Sequence, residues 1–98
     1  SRGLDVVIAD RDSIDHYAGI DAFADLSELL PADLYAALAG EMYSAAGSEG
    51  QMIPAAVSLE GTRFYEITGI VMDPPYLAVI DGSPRKEAAV QMIRYLFP

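Results

Sequence analysis

The chain switches between apolar runs, helical spacing and turn residues, and the switches mark its elements. Leu4-Asp5-Val6-Val7-Ile8-Ala9 is a near-continuous apolar run, the pattern of a central strand covered on both faces. The polar turn Asp10-Arg11-Asp12-Ser13 follows, and Ile14, Tyr17 and Ala18 then share one face at helical spacing. Asp12 or Ser13 is placed to cap this helix, and Gly19 to stop it. Ser27 to Leu30 reads as a short turn. Pro31 suits a first helical position, and Leu34, Ala37 and Leu38 give the buried stripe of a helix reaching Ala39. Gly40 ends or kinks it. Ser44 to Gln51, with Gly47 and Gly50, reads as a surface loop.

Met52 to Leu59 is the second expected strand, with Pro54 arguing for an edge or an irregular start. Glu60-Gly61-Thr62 is a turn, and Phe64 to Met72 reads as a third strand interrupted near Gly69. Asp73-Pro74-Pro75 breaks the chain before a fourth strand, Tyr76 to Ile80. Asp81-Gly82 then turns into Ser83-Pro84, an N-cap followed by proline at a first helical position. The last helix carries Ala89, Met92, Ile93 and Leu96 on one face. No repeat or linker divides the chain, so residues 1–98 form a single domain. The expected fold is α/β, a small mixed β-sheet of about four strands with about three helices.

Composition narrows the function classes. A 52% hydrophobic content is too high for a disordered chain of this charge. No apolar run approaches the roughly 18 residues of a membrane helix. Fifteen acidic against six basic residues give a net charge of −9. Nucleic-acid binding needs a basic surface, so no nucleic-acid partner is expected. Anionic membrane surfaces are disfavoured for the same reason. Cysteine is absent, which removes disulfides, thiolate metal sites and a thiol nucleophile. Ser1-Arg2-Gly3 leads almost directly into a strand, with no signal peptide. The chain is therefore expected to be cut from a longer protein.

Asp10, Asp12 and Ser13 stand at a strand end and a helix start, where α/β proteins usually place a ligand. The alternative is that they only cap the helix and face water. A calcium loop opening at Asp10 would need an oxygen ligand where Ile14 stands and glycine where Asp15 stands, so no metal is expected. His16 is the only histidine, and no serine or cysteine lies in a nucleophile-elbow context around it. The single glycines form no phosphate-cradling loop. The expectation is a non-enzyme without a cofactor. Tyr76 follows the double proline and, with Ser58, either lines a cleft or packs at a rim with its hydroxyl in water.

Several phrases resemble the extracellular solute-binding proteins of ABC importers, the type 2 periplasmic-binding-protein fold, especially its sugar-binding branch. They are Asp5-Val6-Val7-Ile8, Tyr17-Ala18-Gly19, Ala22-Phe23-Ala24-Asp25-Leu26, Gly50-Gln51-Met52-Ile53-Pro54-Ala55, Ser83-Pro84-Arg85-Lys86-Glu87-Ala88-Ala89 and the closing Tyr95-Leu96-Phe97. Too few residues separate Phe64 from Tyr76 for that family's second lobe, so the chain resembles one truncated lobe. The resemblance implies an extracytoplasmic domain, membrane-anchored through sequence outside these residues, that binds a small polar solute such as a sugar. It implies a ligand role for Asp12 above all, beside Asp10, Ser13, Ser58 and Tyr76. The alternative from a different class is an interaction or oligomerisation module, such as a homodimer, that kept the lobe and lost its ligand.

Overall fold

The computed structural model describes residues 6–62 and 74–98. The third expected strand, Phe64 to Met72, lies outside them. Four strands pair among the described residues: β1 (Val6–Ala9), β2 (Met42–Ala46), β3 (Met52–Ser58) and β4 (Tyr76–Val79), in the order β1-β4-β3-β2. All these pairings are antiparallel. The α/β class stands, while the expected mixed sheet is antiparallel throughout the described residues. β1 is correspondingly an outer strand of the described sheet, not a central one. Each face is only partly covered: Val7 and Ala9 pack into one cluster and Val6 into the other, while Ile8 is 40% exposed.

Side chains alternate between faces along a strand, and β4 divides the core accordingly. Tyr76 and Ala78 meet Ile14 and Ala18 of α1 (Arg11–Ala18). Leu77 and Val79 meet the opposite layer, built from α2 (Leu26–Leu29), α3 (Ala32–Leu38) and α4 (Lys86–Leu96). A short 3-10 turn, Ala39–Glu41, joins α3 to β2. The α1 side is rich in alanine, with Ala45, Ala55, Ala56 and Ala78 all buried. The other side is leucine-rich, through Leu26, Leu30, Leu34, Leu38, Leu59 and Leu77. In α4 the buried residues are Ala89, Val90 and Ile93, so Val90 takes the core place expected of Met92, which is 37% exposed.

β2 occupies part of the expected loop. It forms a hairpin with β3 whose connection includes Gly50 at φ +81°, a conformation glycine adopts without strain. Tyr43 faces Ala56 and Ser44 faces Pro54, so Ala55 is an extra residue on β3. This is a β-bulge, and it places Ala55 and Ala56 in the same cluster. Pro54 sits beside the bulge, beyond the Val57 and Ser58 pairing to β4. The next stretch of β4 is joined instead by Ala22 to Ala24, through Ala24 N to Val79 O at 2.8 Å and Asp81 N to Ala22 O at 2.9 Å. No helix among the described residues is long and apolar enough to cross a membrane.

Candidate functional site

The site begins with the cap of α1. Asp10 Oδ1 accepts the Ser13 backbone N–H at 2.8 Å, satisfying one of the orphan donors of the first turn. That hydrogen bond holds the Asp10 carboxyl below its usual pKa. The cap is therefore Asp10, not Asp12 or Ser13. The reason is reach: a capping oxygen serves the N–H two or three residues ahead, and Ser13 stands three beyond Asp10.

Starting the helix at Arg11 puts Arg11 and Asp15 one turn apart on the same face. Both reach tyrosines of the sheet. The Arg11 guanidinium donates to the Tyr76 hydroxyl at 3.2 Å. Its central carbon lies 5.6 Å from the Tyr43 ring centroid and 5.9 Å from that of Tyr76. These distances allow a cation–π attraction to both rings. The Tyr43 hydroxyl donates to Asp15 Oδ1 at 2.7 Å. Asp15 holds that proton in place, and with burial it pushes the Tyr43 phenol up to about 12. The two rings lie 5.2 Å apart at 44°.

Strand register explains why the rings meet although β3 separates their strands. Tyr43 pairs with Ala56, and Tyr76 pairs with Ser58. Ala56 and Ser58 are two residues apart, so they share a face, and both are small enough for the rings to close over β3. A second tie keeps the hairpin in place. Asp21, in the left-handed region at φ 59°, accepts from the Ser48 backbone N–H at 2.9 Å and from the Ser48 hydroxyl. These bonds lower the Asp21 carboxyl pKa and join the hairpin to the segment leaving α1.

Of the residues expected from sequence, Asp10 is exposed and engaged as the cap, and Asp12 is exposed in the first turn of α1. Ser13 is half-buried and supplies the capped N–H. Ser58 Oγ accepts from Glu60 N at 3.2 Å. Tyr76 is buried beneath Arg11. The Ala9–Tyr76 and Tyr76–Ser58 pairings bring the end of β1, Tyr76 and Ser58 into one row across the sheet. Arg11, Asp15 and Tyr43 are the members that sequence reasoning missed. The Arg11–Asp15 spacing was a visible signal; Tyr43 was hidden in the expected loop. His16 is exposed and packs edge-on against the Tyr17 ring. Among the described residues, no group of three or more histidine, cysteine, aspartate or glutamate side chains could hold a metal ion.

This arrangement offers a guanidinium on an aromatic base, carboxylates beside it, and backbone fixed by a cap and a hairpin tie. Such a surface can donate and accept hydrogen bonds to a polar ligand with little rearrangement. Compared with protein-family models, curated proteins and solved structures, the chain finds no match.

Proposed function

We propose that this chain is a non-catalytic recognition domain that takes a small polar solute, such as a sugar, at the β1–α1 end. The observation that carries the reading is Arg11 seated over the paired rings of Tyr43 and Tyr76, with the Asp12 carboxylate exposed next to it in the chain. Sugar hydroxyls both donate and accept, and this surface supplies carboxylate acceptors and a guanidinium donor. The resemblance to a solute-binding lobe supports the same end of the sheet, and with it an extracytoplasmic parent protein.

The test is a thermal-shift panel of sugars, amino acids and divalent ions on wild type, Asp12→Ala and Arg11→Ala. A sugar that raises the wild-type midpoint and loses its effect in both variants supports the reading. No shift from any solute refutes it, as does a shift that both variants retain. A second reading, an assembly module, draws on Ile20 and Tyr95, which are 65% and 75% exposed. A dimer mass by light scattering, together with an unresponsive solute panel, favours that reading.

A further inference from the structure

The Asp81-Gly82 pair, which turns the chain from β4 toward α4, carries chemistry that the proposed solute face does not use. Asp81 is the one aspartate in the sequence that is followed by glycine. The backbone nitrogen of the next residue can attack an aspartate carboxyl, and a side chain on that residue obstructs the approach. Glycine has none. The turn leaves the approach open. Ser83 N donates to Ile80 O at 3.3 Å, and Gly82 stands at the third turn position with φ +81°. Among the described residues, the Gly82 N–H donates to no acceptor. A Cβ built on Gly82 would meet nothing within 4 Å, so the space around it is empty. The Asp81 side chain is 60% exposed, and Lys86 Nζ, at 3.5 Å from Oδ1, holds it only as a surface pair does.

The fold treats the other aspartates with small followers differently. Asp12 precedes Ser13, and Asp21 precedes Ala22. The Ser13 N–H is committed to Asp10 Oδ1 at 2.8 Å, and the Ala22 N–H to Tyr17 O at 3.1 Å. Asp21 itself is held by the Ser48 backbone N–H. We propose that Asp81 is a site of spontaneous isomerisation, where the Asp81-Gly82 linkage rearranges through a succinimide to isoaspartate. The only co-reactant is water. The Gly82 nitrogen bonds to Asp81 Cγ, and the carboxyl hydroxyl leaves with the amide hydrogen as water. Water then opens the ring. Breaking the nitrogen's bond to Cγ restores aspartate. Breaking its bond to the Asp81 carbonyl carbon instead routes the main chain through Cβ and Cγ and leaves the α-carboxylate as the side group. The added backbone carbon falls between two anchors, Asp81 N to Ala22 O at 2.9 Å and Arg85 N to Ser83 Oγ at 3.1 Å. It therefore shifts the entry to α4 and takes the carboxylate away from Lys86. None of this depends on solute binding at the β1–α1 end.

The experiment is prolonged warm incubation of the folded chain in neutral buffer, with a parallel sample unfolded in urea. Peptide mapping with electron-transfer fragmentation locates isoaspartate, and methyl transfer from S-adenosylmethionine by an isoaspartyl methyltransferase measures its amount. In the folded chain isoaspartate is expected to accumulate at Asp81 while Asp12 and Asp21 stay unchanged. In urea the two protected positions are expected to convert as well. Asp81→Glu keeps the charge at an exposed position and is expected to lose the signal, with melting curves confirming that it folds. Conversion of Asp81 only in urea would overturn the proposal, because the fold would then protect the turn. Equal conversion of Asp12 or Asp21 in the folded chain, or a methylation signal that Asp81→Glu retains, would overturn it too.

Discussion

Replacing Asp15 with asparagine tests whether the Tyr43–Asp15 contact is as specific as its geometry indicates. The substitution keeps the size of the side chain and removes the charge that accepts the Tyr43 hydroxyl at 2.7 Å. A hydrogen bond to a charged group contributes more than a neutral one, but water competes at this partly exposed site. We expect a net loss of about 1 kcal/mol, which lowers the melting midpoint by about 4–8 °C in a domain of this size. Titration by ultraviolet absorbance supplies the second readout. Tyr43 should ionise late in wild type, near about 12, and the lag should shrink in Asp15→Asn, where burial alone still holds the phenol up. The sign of the pH dependence follows from the raised phenol. Its stabilisation is fully present below the ordinary tyrosine value of 10.0 and is lost as pH rises through about 12. The stability gap between wild type and variant should therefore be constant below that window and close across it. Six tyrosines titrating together in wild type, or a gap that stays open beyond the window, would refute the reasoning.

Gly47→Ala should destabilise by only about 1 kcal/mol, because the added Cβ would crowd the Gln51 amide and the Asp21 carboxylate, side-chain ends that can move aside. Denaturant melts should show a smaller penalty when Gln51→Ala is combined with it. Asp10→Ala should lower the melting midpoint by a few degrees at neutral pH. The Asp10 carboxyl is depressed in the fold, so this effect is present above the ordinary value of 3.8 and is lost as pH falls through the lowered folded value. Melts across an acid pH series check it. Ala56→Leu, at a fully buried position under α1, should cost about 1–3 kcal/mol by overpacking. It should also change the tyrosine near-ultraviolet circular dichroism as Arg11 is lifted from the rings.

β3, β4 and α3 were legible because their limits are punctuated by proline, glycine and small polar residues, whereas α4 begins at Lys86 with Arg85 at the cap position and no side-chain cap, two residues beyond the Ser83-Pro84 start that the sequence suggests. The Tyr76–Ile80 run needed no long-range information. The cap of α1 was harder, since Asp10 and Asp12 both offer an oxygen and only the reach to Ser13 N separates them. β2 was not legible. Its Ser44-Ala45-Ala46 half carries little strand propensity, and its state comes from the ladder with β3 and the Asp21–Ser48 tie between positions 27 apart. The site depends on still longer connections: Tyr43 to Asp15 spans 28 positions and Arg11 to Tyr76 spans 65. Local spacing could place the end of β1, but not the tyrosines that meet it.

The two faces of the sheet hold their helices by different physics. On the leucine-rich face, burial of large side chains supplies non-directional stabilisation, at about 25 cal/mol for each Å² removed from water. On the alanine-rich face, the large buried side chains are Ile14, Phe23 and Tyr76, and the rest of the buried layer is alanine. Small side chains let the helix sit close to the sheet, and this close seat brings Arg11 within reach of Tyr43 and Tyr76. The position of α1 consequently leans on directional contacts: the Asp10 cap, the Tyr43–Asp15 and Arg11–Tyr76 bonds, and the Asp21–Ser48 tie. Polar contacts of this kind respond to pH and salt far more than a leucine core does. The proposed solute face is thus also the face whose geometry solution conditions can tune, while the opposite layer keeps the sheet intact.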